Sequence, residues 1–151
     1  MNTKSILLVE DNPSDVALTR RAFEKNGIVN ELAVAEDGQD ALDYLFCEGR
    51  HAGRNPDDNP VVILLDLNMP QMGGLEVLRR IRADPRTRRI PVVILTSSSE
   101  EQDLASGYDL GTNSYIRKPV DYHDFSEVVK HLGMYWAVVN EPPPPRRGLH
   151  D

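Results

Sequence analysis

Short apolar runs alternate with helix-period segments five times along this chain, and no other feature restricts its fold so tightly. Four runs rich in β-branched or aliphatic residues occupy positions 5–9, 61–65, 91–95 and 114–116, and a fifth, 31–35, alternates as an edge strand does. Two of them, Ile6, Leu7, Leu8 and Val9, and Val61, Val62, Ile63, Leu64 and Leu65, have no polar face. That pattern suits strands of a parallel sheet covered on both sides. Between the strands, Ser14 is expected to cap a helix carrying Val16, Ala17, Leu18, Ala22 and Phe23 that ends near Gly27. Residues 38–48 carry Ala41, Leu42, Leu45 and Phe46 at helical spacing, and 74–83 carry Leu75, Val77, Leu78 and Ile81 before Asp84 and Pro85 stop them. A more polar helix is expected over 100–110, and a last one begins near Asp121 with Phe125, Val128, Val129 and Leu132 on one face. The expected architecture is α/β: a doubly wound, five-stranded parallel sheet with helices on both faces.

Two segments stand outside this alternation. Residues 48–60 form a polar stretch with Gly49, Gly53, Pro56 and Pro60, expected as a surface insertion. From Glu141 the chain runs into four consecutive prolines, Pro142 to Pro145, which extend as polyproline II. One folded domain is therefore expected over 1–140 and a proline-rich tail over 141–151, with no output domain. The net charge of −7 argues against a nucleic-acid surface, which needs clustered Lys and Arg. No apolar run approaches the ~20 residues that span a bilayer, and the N-terminus carries no signal-peptide core, so no membrane partner and a cytoplasmic location are expected. Cys47 stands alone and reads as a half-buried apolar side chain. The four histidines, His51 among them, lack ligand spacing and are expected at the surface. Arg86, Arg88 and Arg89 read as a solvated loop.

Polar residues that carry chemistry gather at one address, the C-terminal ends of strands. Glu10 and Asp11 follow the first strand, Asp66 the third, Thr96 the fourth, and Lys118-Pro119 the fifth. In open α/β sheets, ligands bind outside those ends where the strand order reverses. In the flavodoxin-like order 2-1-3-4-5 these four strands are neighbours, and the strand without such a group lies at the edge. Three converging carboxylates repel one another and raise each other's pKa. A hard divalent cation resolves that conflict, and an all-oxygen site with few protein ligands suits Mg²⁺. Lys118 then supplies a point positive charge and Thr96 a hydroxyl donor for a phosphoryl group, with Asp66 as the in-line nucleophile.

The runs carrying these residues are Leu8-Val9-Glu10-Asp11-Asn12-Pro13, Leu64-Leu65-Asp66-Leu67-Asn68-Met69-Pro70, Met72-Gly73-Gly74, Leu95-Thr96-Ser97 and Tyr115-Ile116-Arg117-Lys118-Pro119. Together they resemble the response-regulator receiver domain over roughly 5–132, in the family's order. The resemblance implies phosphorylation of Asp66 by a sensor histidine kinase and Mg²⁺ held by Glu10, Asp11, Asp66 and the Asn68 carbonyl. It also implies a phosphoryl contact from Lys118, a cis Lys118-Pro119 bond, and Thr96 with Tyr115 as a switch pair. The 48–60 insertion, Tyr108-Asp109-Leu110-Gly111 and the aromatics Tyr135 and Trp136 are similar to stand-alone regulators paired with phytochrome-type histidine kinases, such as bacterial phytochromes.

With no output domain expected, the signal must pass to a downstream protein or phosphotransfer partner. Tyr135, Trp136, Val138 and Val139 extend an apolar face, either folding back on their own core or packing against a second copy. A homodimer through the last two strands and last two helices is the expectation. Gly73 and Gly74 are assigned only a tight turn into the third helix. A small Mg²⁺-dependent phosphohydrolase is the rival reading, disfavoured by the absence of a paired second aspartate and a cap.

Overall fold

The computed structural model describes residues 4–69, 71–97 and 114–138. Five strands, β1 (Ile6–Val9), β2 (Leu32–Ala35), β3 (Val62–Asp66), β4 (Val92–Thr96) and β5 (Ser114–Arg117), form one parallel sheet in the order 2-1-3-4-5. The helices are α1 (Pro13–Lys25), α2 (Gly38–Phe46), α3 (Gly74–Ala83), α4 (Tyr122–His131) and a short α5 (Tyr135–Val138). The helix expected over 100–110 and the proline run lie outside the described residues.

The uninterrupted apolar strands are explained by two cores. Side chains alternate across a pleated strand, so each strand feeds both faces. Leu7, Val9, Ile63, Leu65, Val92 and Ile94 meet Ala41, Leu42 and Leu45 of α2 and Val77, Leu78 and Ile81 of α3. Ile6, Leu8, Val62, Leu64, Val93 and Leu95 meet Phe23 of α1 and Phe125 and Val129 of α4, with the two rings 4.6 Å apart. All of β1, β3 and β4 is buried, and each such Leu or Ile contributes about 1.5–3 kcal/mol. A polar substitution in their middle would open both cores. The weaker strand, β2, lies at the edge as expected, but its burial does not alternate: Leu32, Ala33 and Val34 are half-buried and Ala35 is buried.

Helix ends follow local chemistry, with adjustments to the expected bounds. Asn12, not Ser14, caps α1: its Oδ1 accepts from the Ser14 N–H at 2.8 Å and the Asp15 N–H at 3.3 Å, and Pro13 takes the first helical position. The α2 helix stops at Phe46 because Cys47 adopts a left-handed conformation. The insertion is more ordered than a bare loop. A 3-10 turn, Gly49–His51, brings Arg50 and His51 onto Asp40, at 2.6 and 2.8 Å. Arg54 stacks 3.9 Å over the Tyr44 ring and donates to the Tyr44 carbonyl. His51 is thus half-buried and paired, not the plain surface residue its lack of ligand spacing suggested.

The C-terminal aromatic segment partly folds back on its own domain. Val138 is buried in the α1/α4 core and Tyr135 packs against it. Asn30 fastens this end, its Nδ2 donating to the carbonyls of Lys4 (2.7 Å) and Ala137 (2.8 Å). Val139 and the side chain of Trp136 lie outside the described part.

Candidate functional site

Parallel register carries the polar residues to one end of the sheet. Asp66 is the last residue of β3 and lies opposite Leu95, one step before Thr96 at the end of β4. Thr96 pairs with Arg117, so Lys118 leaves β5 beside it, its N–H donating to the Thr96 carbonyl at 2.8 Å. Glu10 follows β1, tied to β2 through its N–H and the Ala35 carbonyl at 3.0 Å. The Lys118-Pro119 peptide is cis. Glu10, Asp66 and Lys118 are therefore placed by backbone ladders, and Asp11 follows directly after Glu10.

Glu10, Asp11 and Asp66 each present a carboxylate oxygen within 4.8 Å of the others, with Glu10 and Asp66 buried and Asp11 exposed. The Lys118 ammonium stands 3.1 Å from Glu10 Oε1, 3.0 Å from Asp15 Oδ2 and 3.4 Å from Asp66 Oδ2. Asp66 Oδ1 accepts from the Asn68 N–H at 3.2 Å. Among the described residues Asp66 Oδ2 is buried and accepts no hydrogen bond; its 3.4 Å approach to Lys118 is an ion pair at longer range. Such an orphaned buried oxygen signals a missing partner. From Glu10 and Asp11 a groove of about 670 Å³ runs along α1 past Val16, Ala17 and Arg20.

The electrostatics match this geometry. Burial, reinforced by the Asp66 charge, lifts the Glu10 carboxyl to about 7, although Lys118 and the Asn12 N–H oppose the rise. Burial likewise raises Asp66 above the ordinary carboxylate range against the pull of the Asn68 N–H and Lys118. Burial works against the Lys118 charge, but hydrogen bonds to Asp15 and Glu10 and the nearby Asp66 hold it above the usual lysine value. One ammonium does not neutralise this set of carboxylates. All-oxygen donors with raised carboxyls fit a hard divalent cation.

Thr96 is buried at its strand end, and Tyr115 is half-buried against the α2/α3 core. Two residues that position the site went unrecognised in the sequence. Asp15 is one; its only signal was an acidic residue in the first turn of α1, shortly after the Glu10-Asp11 pair. Gly74 is the other. A Cβ there would stand 2.4 Å from the Asp66 carbonyl oxygen and 2.8 Å from Leu67 Cα, so its role is close approach to the Asp66 backbone as well as a turn.

Comparison with known proteins agrees with this arrangement. The response regulator receiver domain family matches residues 6–130. The chain is 42% identical over 141 residues to the probable methanogenesis regulatory protein FilR2 of Methanothrix harundinacea, covering 93% of this chain and 88% of that one. It is 37% identical over 133 residues to response regulator Rcp1 of Synechocystis sp., covering 88% of each. Among solved structures, the bacteriophytochrome response regulator AtBRR superposes with a TM-score of 0.86 at 48% identity, covering 93% of this chain and all of that one. The Mn²⁺-bound form of Rcp1 superposes with a TM-score of 0.69 at 36% identity, covering 93% and 99%.

Proposed function

The chain belongs to the response regulator receiver family, and from that premise we propose that Asp66 is the residue through which it works. It is a phosphoacceptor response regulator of a two-component system, a signalling switch that takes its phosphoryl group from a histidine kinase. The observation that carries the assignment to Asp66 is its buried Oδ2, which accepts no hydrogen bond among the described residues and faces Lys118 at the end of β3.

In the proposed reaction Asp66 Oδ2 attacks the phosphorus of a kinase phosphohistidine. An O–P bond forms, the P–N bond breaks, and the imidazole nitrogen keeps the electron pair. Glu10, Asp11, Asp66 and the Asn68 carbonyl are the proposed Mg²⁺ ligands. Mg²⁺ bound there would neutralise the carboxylates and the phosphoryl oxygens. Lys118 contributes the protein's own positive charge to those oxygens, and the Thr96 hydroxyl donates to one of them. Tyr115 answers the Thr96 movement by turning inward and changing the β4–β5 surface. The same polarised acyl phosphate is open to water, so the domain hydrolyses it without turning over a separate substrate. Intact-protein mass spectrometry after incubation with acetyl phosphate and Mg²⁺ tests this. Wild type should gain one phosphoryl group and Asp66→Asn none; equal labelling of the two would refute the assignment.

The cognate kinase is proposed to be of the phytochrome type, acting in the cytoplasm. The likeness to AtBRR at 48% identity supports this. Transfer from a purified bacterial phytochrome kinase to the wild-type chain measures it. A homodimer through β4, β5 and α4 is proposed as well. Val128, Leu132 and Met134 support it, because the α1/α4 core covers them only partly. Sedimentation velocity giving a monomer throughout the micromolar range would exclude the dimer.

A further inference from the structure

Lys118 has a carboxylate partner that phosphoryl transfer leaves without a task. Asp15 approaches the ammonium to 3.0 Å, closer than Glu10 at 3.1 Å or Asp66 at 3.4 Å. It belongs to the first turn of α1, where Asn12 Oδ1 accepts its backbone N–H at 3.3 Å and so holds the turn that carries it. No capping role requires it to reach a lysine from the far edge of the sheet; helix-dipole stabilisation would serve with the carboxylate in water. We propose that Asp15 is a positioning residue that holds the Lys118 ammonium on the α1 side of the site and restrains its advance onto a phosphoryl group at Asp66. This rests on Asp66 as the phosphoacceptor.

The geometry sets the direction of the effect. An ammonium has three protons. Lys118 donates to Glu10 Oε2 at 3.3 Å and forms an ion pair with Asp15 at 3.0 Å, which leaves the longest contact, 3.4 Å, for Asp66. Arriving phosphoryl oxygens must draw the ammonium away from Asp15. That restraint slows transfer in the resting domain and is relieved when the carboxylate becomes an amide. Asp15 is 27% exposed, so solvent screens much of its field and the gain is limited to about two- to tenfold.

The test is the initial rate of labelling of the full chain by acetyl phosphate at saturating Mg²⁺, read by intact mass. Asp15→Asn should label about two- to tenfold faster than wild type. Asp15→Glu, which keeps the charge, should stay near the wild-type rate. In a Lys118→Met background Asp15→Asn should have no effect, whereas a general charge or capping role would persist there. The ¹⁵N resonance of the Lys118 ammonium should shift in Asp15→Asn and return in Asp15→Glu. An unchanged or slower rate in Asp15→Asn, an equal acceleration without the lysine, or a stationary resonance would overturn the inference while leaving Asp66 in place. Failure of the wild type to label would remove the phosphoacceptor reading and this inference with it.

Discussion

Gly74→Ala isolates how closely the third helix must approach the end of β3. Gly74 opens α3, with its N–H bonded to the Leu67 carbonyl at 3.1 Å. The added methyl would lie 2.4 Å from the Asp66 carbonyl oxygen, 2.8 Å from Leu67 Cα and 3.0 Å from the Asp66 carbonyl carbon, where contacts are normally about 3.5 Å or longer. All three are backbone atoms of the segment that presents the Asp66 carboxylate, and no side-chain rotation relieves them. Relief requires α3 to slide outward, uncovering Val77 and Leu78, or the β3 end to move. Overpacking of this kind costs about 1–3 kcal/mol, and alanine's better helix propensity returns less than 1 kcal/mol at the first position of a helix. A net loss of about 1–2 kcal/mol should lower Tm by roughly 3–8 °C in a chain of this size. It should also slow labelling by acetyl phosphate more than stability alone would, because the displaced atoms belong to Asp66. Gly73→Ala is the control: its Cβ would meet only the Leu67 carbonyl oxygen, at an ordinary 3.6 Å. Scanning calorimetry and labelling rates on the two variants give the answer. If Gly74→Ala melts and labels as Gly73→Ala does, the close-approach argument is wrong.

The remaining predictions concern the charges and the tethers. Folding raises the Glu10 carboxyl from 4.5 to about 7, so the folded state binds more protons than the unfolded one across that window. Stability of the metal-free protein should therefore fall as pH rises from about 4.5 to 7, by on the order of 2 kcal/mol, with Asp66 acting in the same direction. Glu10→Gln should flatten the pH–Tm curve, and a wild-type curve that rises through this range would refute the account. Mg²⁺ should raise Tm more at pH 8 than at pH 5.5, because protons and metal compete for the same oxygens. Asp40, held at about 2 against its burial by hydrogen bonds from Arg50 and His51, anchors the insertion. Asp40→Asn should make tryptic cleavage after Arg50 or Arg54 several-fold faster, and an unchanged cleavage rate would show that the loop is held by other contacts. Asn30→Ala removes two donors from the Lys4 and Ala137 carbonyls, which should cost about 1–3 kcal/mol in chemical denaturation and speed amide exchange in α5.

What was legible in the sequence is what periodicity and strand-end position encode. Continuous apolar runs implied strands buried on both faces, and the two cores account for each of those positions. The motif residues could be assigned to one end of the sheet because parallel strands share a direction, so residues that follow strands lie together. Contacts set by three-dimensional approach were not legible. Asp15 looks like any first-turn acid until α1 is placed against the β5 end, and Gly74 looks like any turn glycine until α3 is docked on β3. The Asp40–Arg50–His51 cluster joins a helix to an insertion, and nothing in the spacing of 48–60 shows that it folds back. The C-terminal segment was divided between a self-packed and an intermolecular reading. Val138 takes the first, since its burial in the α1/α4 core leaves no surface for a second copy there, while Tyr135 packs on that core and stays half-buried.

These observations join in the charge balance of the site. Glu10, Asp15 and Asp66 contact a single ammonium, Asp11 stands beside Glu10 and Asp66, and two of these four carboxylates are buried with raised carboxyls. Such a cluster opposes folding, so its geometry must be imposed by the surroundings: the fully buried β1, β3 and β4, the Asn12 cap and the close seating of Gly74. A divalent cation removes much of the opposition, and whatever binds only the folded state stabilises it. Stability and readiness for phosphoryl transfer are then coupled through the same oxygens. Removing a site carboxylate should raise the stability of the metal-free domain while reducing its response to Mg²⁺. That pairing of opposite effects distinguishes a site built for a cation from an acidic surface that merely tolerates one.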